Sequence, residues 1–362
     1  MQKTNLPWDI TKFDNHHQIG GIQLARVAPA FGGDIHDGSR VAMVNTGSGL
    51  RLTVALDRGG DIIDASFNQH SLTYLTPVGL KPPSHAYHRG FDWLFNWPAG
   101  LVTTCGPHAI GAPHEEGGID YNLHGHYSNT PAKLDMLLNP DPHHGTREML
   151  ISMTTRTSRM FGPVFEIKRQ IQAALGESQF IMYDQVTNRG DEPAAHHWLY
   201  HVNVGYPLLD AGAKFIYRGR VTGCWQAPQA GKPPTEVQLN RMKTATDGLK
   251  EHAGTGERGM FVDIEPDRQG DAHVGIINRK LGLGLELTFP VETLPRIANW
   301  QHYGPRGSYV AGIEPVNGAF GGGKAATTLE PGESIRYRIT FTVHHTREAL
   351  SAFAKHDGPI KR

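Results

Sequence analysis

Apolar and polar residues alternate over long stretches of this chain. The run Glu148-Met-Leu-Ile-Ser-Met-Thr-Thr-Arg-Thr157 puts Met149, Ile151 and Met153 on one side and mostly polar residues on the other. A period of two marks a strand with one buried face. Residues 165–173 repeat the pattern after Gly162-Pro163, so the two runs are expected to pair across that turn. Residues 179–188, 272–278, 283–289 and 334–343 read the same way. Nearer the start, 51–56 and 61–67 read as strands separated by the turn Asp57-Arg-Gly-Gly60. Residues 76–120 show no period and are rich in Pro, Gly, His and aromatics. Phe91, Trp93, Phe95 and Trp97 within them argue against disorder. Two short helices are expected, one near 236–250 and one from Thr346 to about Lys355, which Thr346 can cap.

Many short strands and little helix imply an all-β fold, a large antiparallel sandwich or barrel. The 43 glycines and 24 prolines fit many turns. No shift in composition marks a linker among the 362 residues. One domain over 1–362 is expected, with an irregular N-terminal extension (about 1–20) and a short C-terminal helix (about 346–355). The 35 basic and 35 acidic residues cancel, which speaks against nucleic acid or an anionic membrane as partner. Cys105 and Cys224 are the only cysteines and have no paired spacing, so neither a disulfide framework nor a cysteine-based zinc site is expected. No apolar run reaches the length of a membrane span, and the first residues lack an apolar signal core. The expected location is the cytoplasm.

Histidine is the outlier, with 21 copies. Imidazole suits both proton transfer near neutral pH and metal binding. Three spots concentrate candidate chemistry. In Tyr121-Asn-Leu-His-Gly-His-Tyr-Ser-Asn-Thr-Pro-Ala132, an extended backbone would put Asn122, His124 and His126 on one face, with Pro131 ending the element. The second spot is His196-His-Trp-Leu-Tyr-His-Val-Asn-Val-Gly-Tyr-Pro207. The third is Gly312-Ile-Glu-Pro-Val-Asn317, where apolar neighbours could desolvate Glu314 and make it a usable base. Plainer readings stand beside these. A histidine in an apolar run is usually a hydrogen-bonded core residue, and the 91–97 aromatics read first as core.

The order of these spots resembles the aldose 1-epimerase (galactose mutarotase-like) superfamily. Asn122-Leu-His124-Gly is similar to its first histidine segment, His201 with Asn203 to its second, and Glu314 to its late glutamate. A closer resemblance is to an uncharacterised aldose-epimerase-like subgroup of the DUF4432 type. Its patterns match Gly100-Leu-Val-Thr-Thr-Cys-Gly106, Leu123–Ala132, Tyr200–Leu209, Gly312–Asn317 and Leu329-Glu-Pro-Gly-Glu-Ser334. The resemblance implies a galactose mutarotase-like supersandwich. It also implies an isomerase that interconverts the anomers of a sugar or sugar derivative by opening and reclosing its ring, without metal or nucleotide. Glu314 would be the base, His201 the acid, and His124 a third catalytic group. His201 would act as imidazolium, favoured by the nearby carboxylate; His196 and His197 are alternatives for the acid. Arg89, Asn122, His126, Asn203, Trp300 and Gln301 would bind the sugar, with Asp92 a further candidate. Arg306 and Lys324 flank Glu314 and could meet an anionic group. Two other readings stay open. One is a metal-dependent sugar isomerase or lyase using His124, His126, His197 or His201, and Glu314. The other is a carbohydrate-binding module without turnover.

Overall fold

The segments that alternate in sequence build one sheet, and the buried strands that do not alternate build the middle of another. The computed structural model describes residues 8–29, 34–116, 118–225, 234–249, 257–305, 307–318 and 327–361. Its smaller sheet has eight strands, ordered Lys214–Ile216, Asp271–Asn278, Leu283–Pro290, Ser334–His344, Gln179–Asn188, Val164–Ala174, Glu148–Ser158 and Lys133–Leu138. Glu148–Ser158 pairs with Val164–Ala174 across the expected turn, with Ile151 opposite Ile171. Met149, Ile151, Met153, Phe165, Ile167, Phe180 and Met182 are all buried on its inner face. Burial of each such side chain contributes about 1.5–3 kcal/mol.

The larger sheet has twelve strands. Its middle runs Asp61–Phe67, Val102–Cys105, Leu199–Gly205, Tyr309–Val316, Arg296–Tyr303 and Glu257–Ile264. Every residue of Val102–Cys105 and Leu199–Gly205 is buried. Tyr200, Val202 and Val204 join the core between the sheets, while Leu199 belongs to a separate cluster on the opposite face. That outer face is covered by the chain from about 74 to 125, which brings Trp93, Trp97 and Leu123 against it. A strand covered on both sides has no reason to alternate. So the irregular reading of 76–120 needs correction: it contains the central strand Val102–Cys105.

The two sheets are tied by a buried arginine. Arg169, on Val164–Ala174, donates to both Asp184 oxygens at 2.7 and 2.8 Å, to Asp61 at 3.1 Å, to Thr104 Oγ1 at 2.8 Å and to the Gly59 carbonyl at 3.2 Å. Tyr200 donates to Asp184 at 2.6 Å.

Both helices form, shorter than expected. Glu236–Arg241 starts with a reciprocal capping box between Thr235 and Gln238. Arg347–Phe353 is capped by Thr346, whose hydroxyl accepts from the Ala349 amide at 3.2 Å. It continues as a 3-10 turn, Ala354–His356. Short 3-10 turns at Ile10–Lys12 and His16–Gln18 precede the first strand, Gly21–Val27. No helix among the described residues is long and apolar enough to cross a membrane.

Candidate active site

Strand register brings the second and third sequence spots together. Leu199 pairs with Val316 and Val202 with Ile313, so His201 falls opposite Glu314 on the antiparallel neighbour. Both point away from the core between the sheets. His201 Nε2 lies 3.4 Å from Glu314 Oε1, and both side chains are almost fully buried. On the next strand Trp300 pairs with Gly312 and Ala298 with Glu314. Gly312 leaves room for the Glu314 carboxyl: a Cβ there would lie 2.1 Å from Glu314 Oε1.

The pair sits at a cavity of about 420 Å3, within the usual range of about 300–1,000 Å3 for small-molecule sites. Six aromatic side chains line it: Phe91, Trp93, Trp97, Trp225, Phe261 and Trp300. The short 3-10 helix Asp92–Phe95 and the residues after it bring Trp93 and Trp97 to the sheet, their rings 5.0 Å apart. Trp97 lies 5.5 Å from the His201 ring and is fixed by its indole N–H, which donates to Thr103 Oγ1 at 2.9 Å. Trp300 lies 5.6 Å from His201 on another side.

His124 completes the cluster, its ring 5.4 Å from His201 and nearly perpendicular to it. Here the extended reading of 121–132 fails. The strand stops at Tyr121, and the chain then turns through His124 and Gly125, both with positive φ (60° and 74°), into the 3-10 turn Tyr127–Asn129. The turn is held by backbone bonds from Gly106 N to His124 O at 3.1 Å and from His124 N to Gly111 O at 3.1 Å. Gly111 N also donates to His124 Nδ1 at 3.3 Å. That bond makes Nδ1 the acceptor, so the neutral ring carries its proton on Nε2.

Because the segment turns, its polar residues diverge. Asn122 and His126 line a second cavity with His88 and Arg89. Asn122 donates to the Gly125 carbonyl at 3.1 Å and so closes the turn. The His126 ring packs against His88, centroids 4.2 Å apart and planes tilted by 39°. Asn203 is fully buried and donates to the Gly100 and His201 carbonyls. Gln301 alternates with Trp300, faces inward and donates to Met242 O and Asn299. Of the six expected sugar-binding residues, the fold therefore brings only Trp300 into the cavity with His124, His201 and Glu314. Arg89, Asn122, His126, Asn203 and Gln301 lie outside it, as does Asp92. His196 is a core residue bonded to the Tyr337 hydroxyl at 2.9 Å, and His197 lines neither cavity. Among the described residues, His124, His126, His201 and Glu314 supply no three ligand atoms within 4.8 Å of one another. Arg306 and Lys324 lie outside the described residues.

Trp93, Trp97, Trp225, Phe261 and Glu257 are among the cavity residues not foreseen as site residues. Trp93 and Trp97 read as core, and are indeed buried, but each also presents a ring to the cavity. Trp225, Phe261 and Glu257 come from the far strands Gly219–Trp225 and Glu257–Ile264, and no local pattern marks them.

Burial governs the site's electrostatics. It pushes Glu314 well above the ordinary carboxylate range, and Glu257 adds a smaller push in the same direction. It lowers His201 to about 4. It lowers His124 far below its usual value, helped by His201. Burial thus favours the uncharged form of each, against the expected imidazolium at His201. Glu314 Oε1 is buried and has no hydrogen-bond partner among the described residues.

Comparison with known proteins adds the lineage. A proposed aldose 1-epimerase from Klebsiella pneumoniae superposes with a TM-score of 0.79 over 96% of this chain and 92% of that one, at 20% identity. A galactose mutarotase-like protein from Clostridium acetobutylicum gives 0.58 over 90% and 98%, at 12% identity. A galactose 1-epimerase from Lactobacillus acidophilus gives 0.57 over 90% and 99%, at 9% identity. At these identities the likeness establishes the fold, a galactose mutarotase-like β-sandwich. Among curated proteins, none matches the sequence. The model of the domain of unknown function DUF4432 matches residues 36–343, and the chain belongs to that family.

Proposed function

We propose that this protein is an aldose 1-epimerase-like isomerase acting on a sugar or sugar derivative. The observation that carries the reading is the buried His201–Glu314 pair, 3.4 Å apart beside an aromatic-lined cavity, with Glu314 Oε1 lacking a hydrogen bond. A buried polar atom without a partner is costly, by about 1–3 kcal/mol. A sugar hydroxyl entering the cavity would supply the missing partner. Trp300 and Trp97 offer faces on which the apolar side of a sugar ring can stack.

Ring opening needs one group to take the proton from the anomeric hydroxyl and another to give a proton to the ring oxygen. The C1–O5 bond then breaks and C1 becomes an aldehyde. Rotation about C1–C2 and reclosure yield the other anomer. With Glu314 as base and His201 as acid, opening leaves Glu314 protonated and His201 neutral. Reclosure returns both protons. The protonation state that burial favours is thus the one matched to the open-chain aldehyde. His124, with its proton on Nε2, would donate a hydrogen bond to a sugar oxygen. Acid–base assistance of this kind is worth on the order of 10²–10⁴-fold.

The test is anomer exchange by NMR on a panel of neutral, acidic and phosphorylated aldoses, with wild type and Glu314→Gln. Exchange above the buffer rate, lost in the variant, is the expected result. Sugar binding with no acceleration for any member of the panel would overturn catalysis and leave a binding module.

A further inference from the structure

We propose that the outer face of the eight-stranded sheet carries a binding site for a divalent transition-metal cation of the zinc class, held by His273, Glu286 and His356. Three separate elements converge there. His273 stands on Asp271–Asn278, Glu286 on Leu283–Pro290, and His356 ends the 3-10 turn that extends the C-terminal helix. One ligand atom from each lies within 4.8 Å of the other two, the single such group among the described residues. Around a tetrahedral ion with bonds of about 2.1 Å, ligand atoms lie roughly 3.3 Å apart. Reaching bonding distance takes a closure of up to about 1.5 Å and a tilt of the stacked His273 and His356 rings towards a common ion.

The surroundings are those of a supported ligand set. His273 Nδ1 faces Glu286 Oε1 at 2.7 Å, and its other nitrogen faces Asp267 Oδ2 at 3.2 Å. The second Glu286 oxygen is bonded to His344 Nε2. Partners of this kind fix the orientation of metal-bound imidazole and carboxylate. The His356 ring stacks on His273 at 3.9 Å and 18°, and its nitrogens have no hydrogen-bond partner among the described residues. Glu286 and Asp267 set two carboxylates beside the imidazoles, a setting that suits a cation. Mixed imidazole and carboxylate donors favour zinc-like ions over calcium or magnesium. Bound there, the ion would pin the turn after the C-terminal helix to the sheet. The cluster belongs to the other sheet from His201 and Glu314, so the site does not depend on the proposed sugar chemistry.

The experiment uses the full-length chain, stripped with a chelator and titrated with zinc by calorimetry and with cobalt by visible absorption. One equivalent is expected to bind, with a cobalt spectrum of nitrogen–oxygen ligation and a rise in Tm on adding zinc. His356→Ala lies at a partly exposed turn where the fold tolerates it. It should weaken binding by about tenfold or more and abolish the Tm rise, and Glu286→Gln should weaken binding similarly. His124→Ala should bind zinc as wild type does. No stoichiometric binding at millimolar zinc would overturn the proposal. So would binding that survives His356→Ala and Glu286→Gln unchanged, or that is lost in His124→Ala.

Discussion

Two buried ionisable centres in this molecule are built on opposite terms. At Arg169 the guanidinium makes five hydrogen bonds, to two aspartates, a threonine and a carbonyl, and Tyr200 adds a further donor to Asp184. At Glu314 the carboxyl has one imidazole 3.4 Å away and an oxygen with no hydrogen-bond partner. Both are enclosed by the same fold, so burial alone does not separate structure from function. Saturation does. The Arg169 network, whose donors are all used, has nothing left to offer a ligand and serves to join the sheets. An unsatisfied pair beside a cavity keeps its bonding capacity for something else.

Substitutions can break the contrast. The largest effects should fall on opposite observables. Arg169→Met strands Asp61 and Asp184 in the interior and should lower stability by about 3–5 kcal/mol, read as a shift in the urea midpoint. Glu314→Gln should leave that midpoint unchanged or raised, while anomer exchange on the responsive sugar falls by about 10²–10⁴-fold. Equal stability losses in both variants would abolish the distinction.

Gly312→Ala is a finer probe. The nearest atoms to the added methyl all belong to the Glu314 side chain, which must shift to make room. Exchange should fall at least about tenfold, while the thermal midpoint shifts by no more than a few degrees.

Acid should reveal a third kind of burial. Burial holds His196 at about 3, and His108 and His201 at about 4. These folded values lie below the unfolded value near 6.5. The unfolded chain therefore binds more protons between about pH 4 and 6.5, and stability must fall as pH drops through that window. The slope is at most about 1.4 kcal/mol per pH unit for each histidine. His196→Gln should flatten a urea-midpoint profile measured from pH 7 to 4. A profile equally steep in the variant would remove His196 from this account.

The smallest effect belongs to His124. Its left-handed backbone is strained for a residue with a side chain. His124→Gly should gain up to about 1 kcal/mol of stability while slowing exchange. A loss in denaturant midpoint would mean that the ring's packing against Trp93 and His201 outweighs the strain.

What can be read from the chain follows the same physics. The eight-stranded sheet was legible because one face of each long strand is wetter than the other, as in Glu148–Ser158. Val102–Cys105 is buried on both faces and has no period to read. The order of His124, His201 and Glu314 pointed to their meeting, but His126 was misplaced with them because His124 and Gly125, both at positive φ, turn the chain where an extended run was expected. Gln301 was one residue out of phase with Trp300, an error that a strand converts into opposite faces. Trp225, Phe261 and Glu257 reach the cavity only through the lateral order of strands, which no local pattern encodes.

That lateral order also sets a timetable for synthesis. The strand Leu199–Gly205 lies between Val102–Cys105, made about a hundred residues earlier, and Tyr309–Val316, made about a hundred later. At roughly 5–20 residues per second, the nascent chain waits on the order of ten seconds between the strand that carries His201 and the one that carries Glu314. Throughout that interval an apolar strand in the middle of the future sheet has an open edge, the kind of surface that recruits the wrong partner. Pairings so distant in sequence also form slowly. The arrangement that seats His201 and Glu314 side by side thus leaves the half-made chain with an open sheet edge until the strand Tyr309–Val316 has emerged.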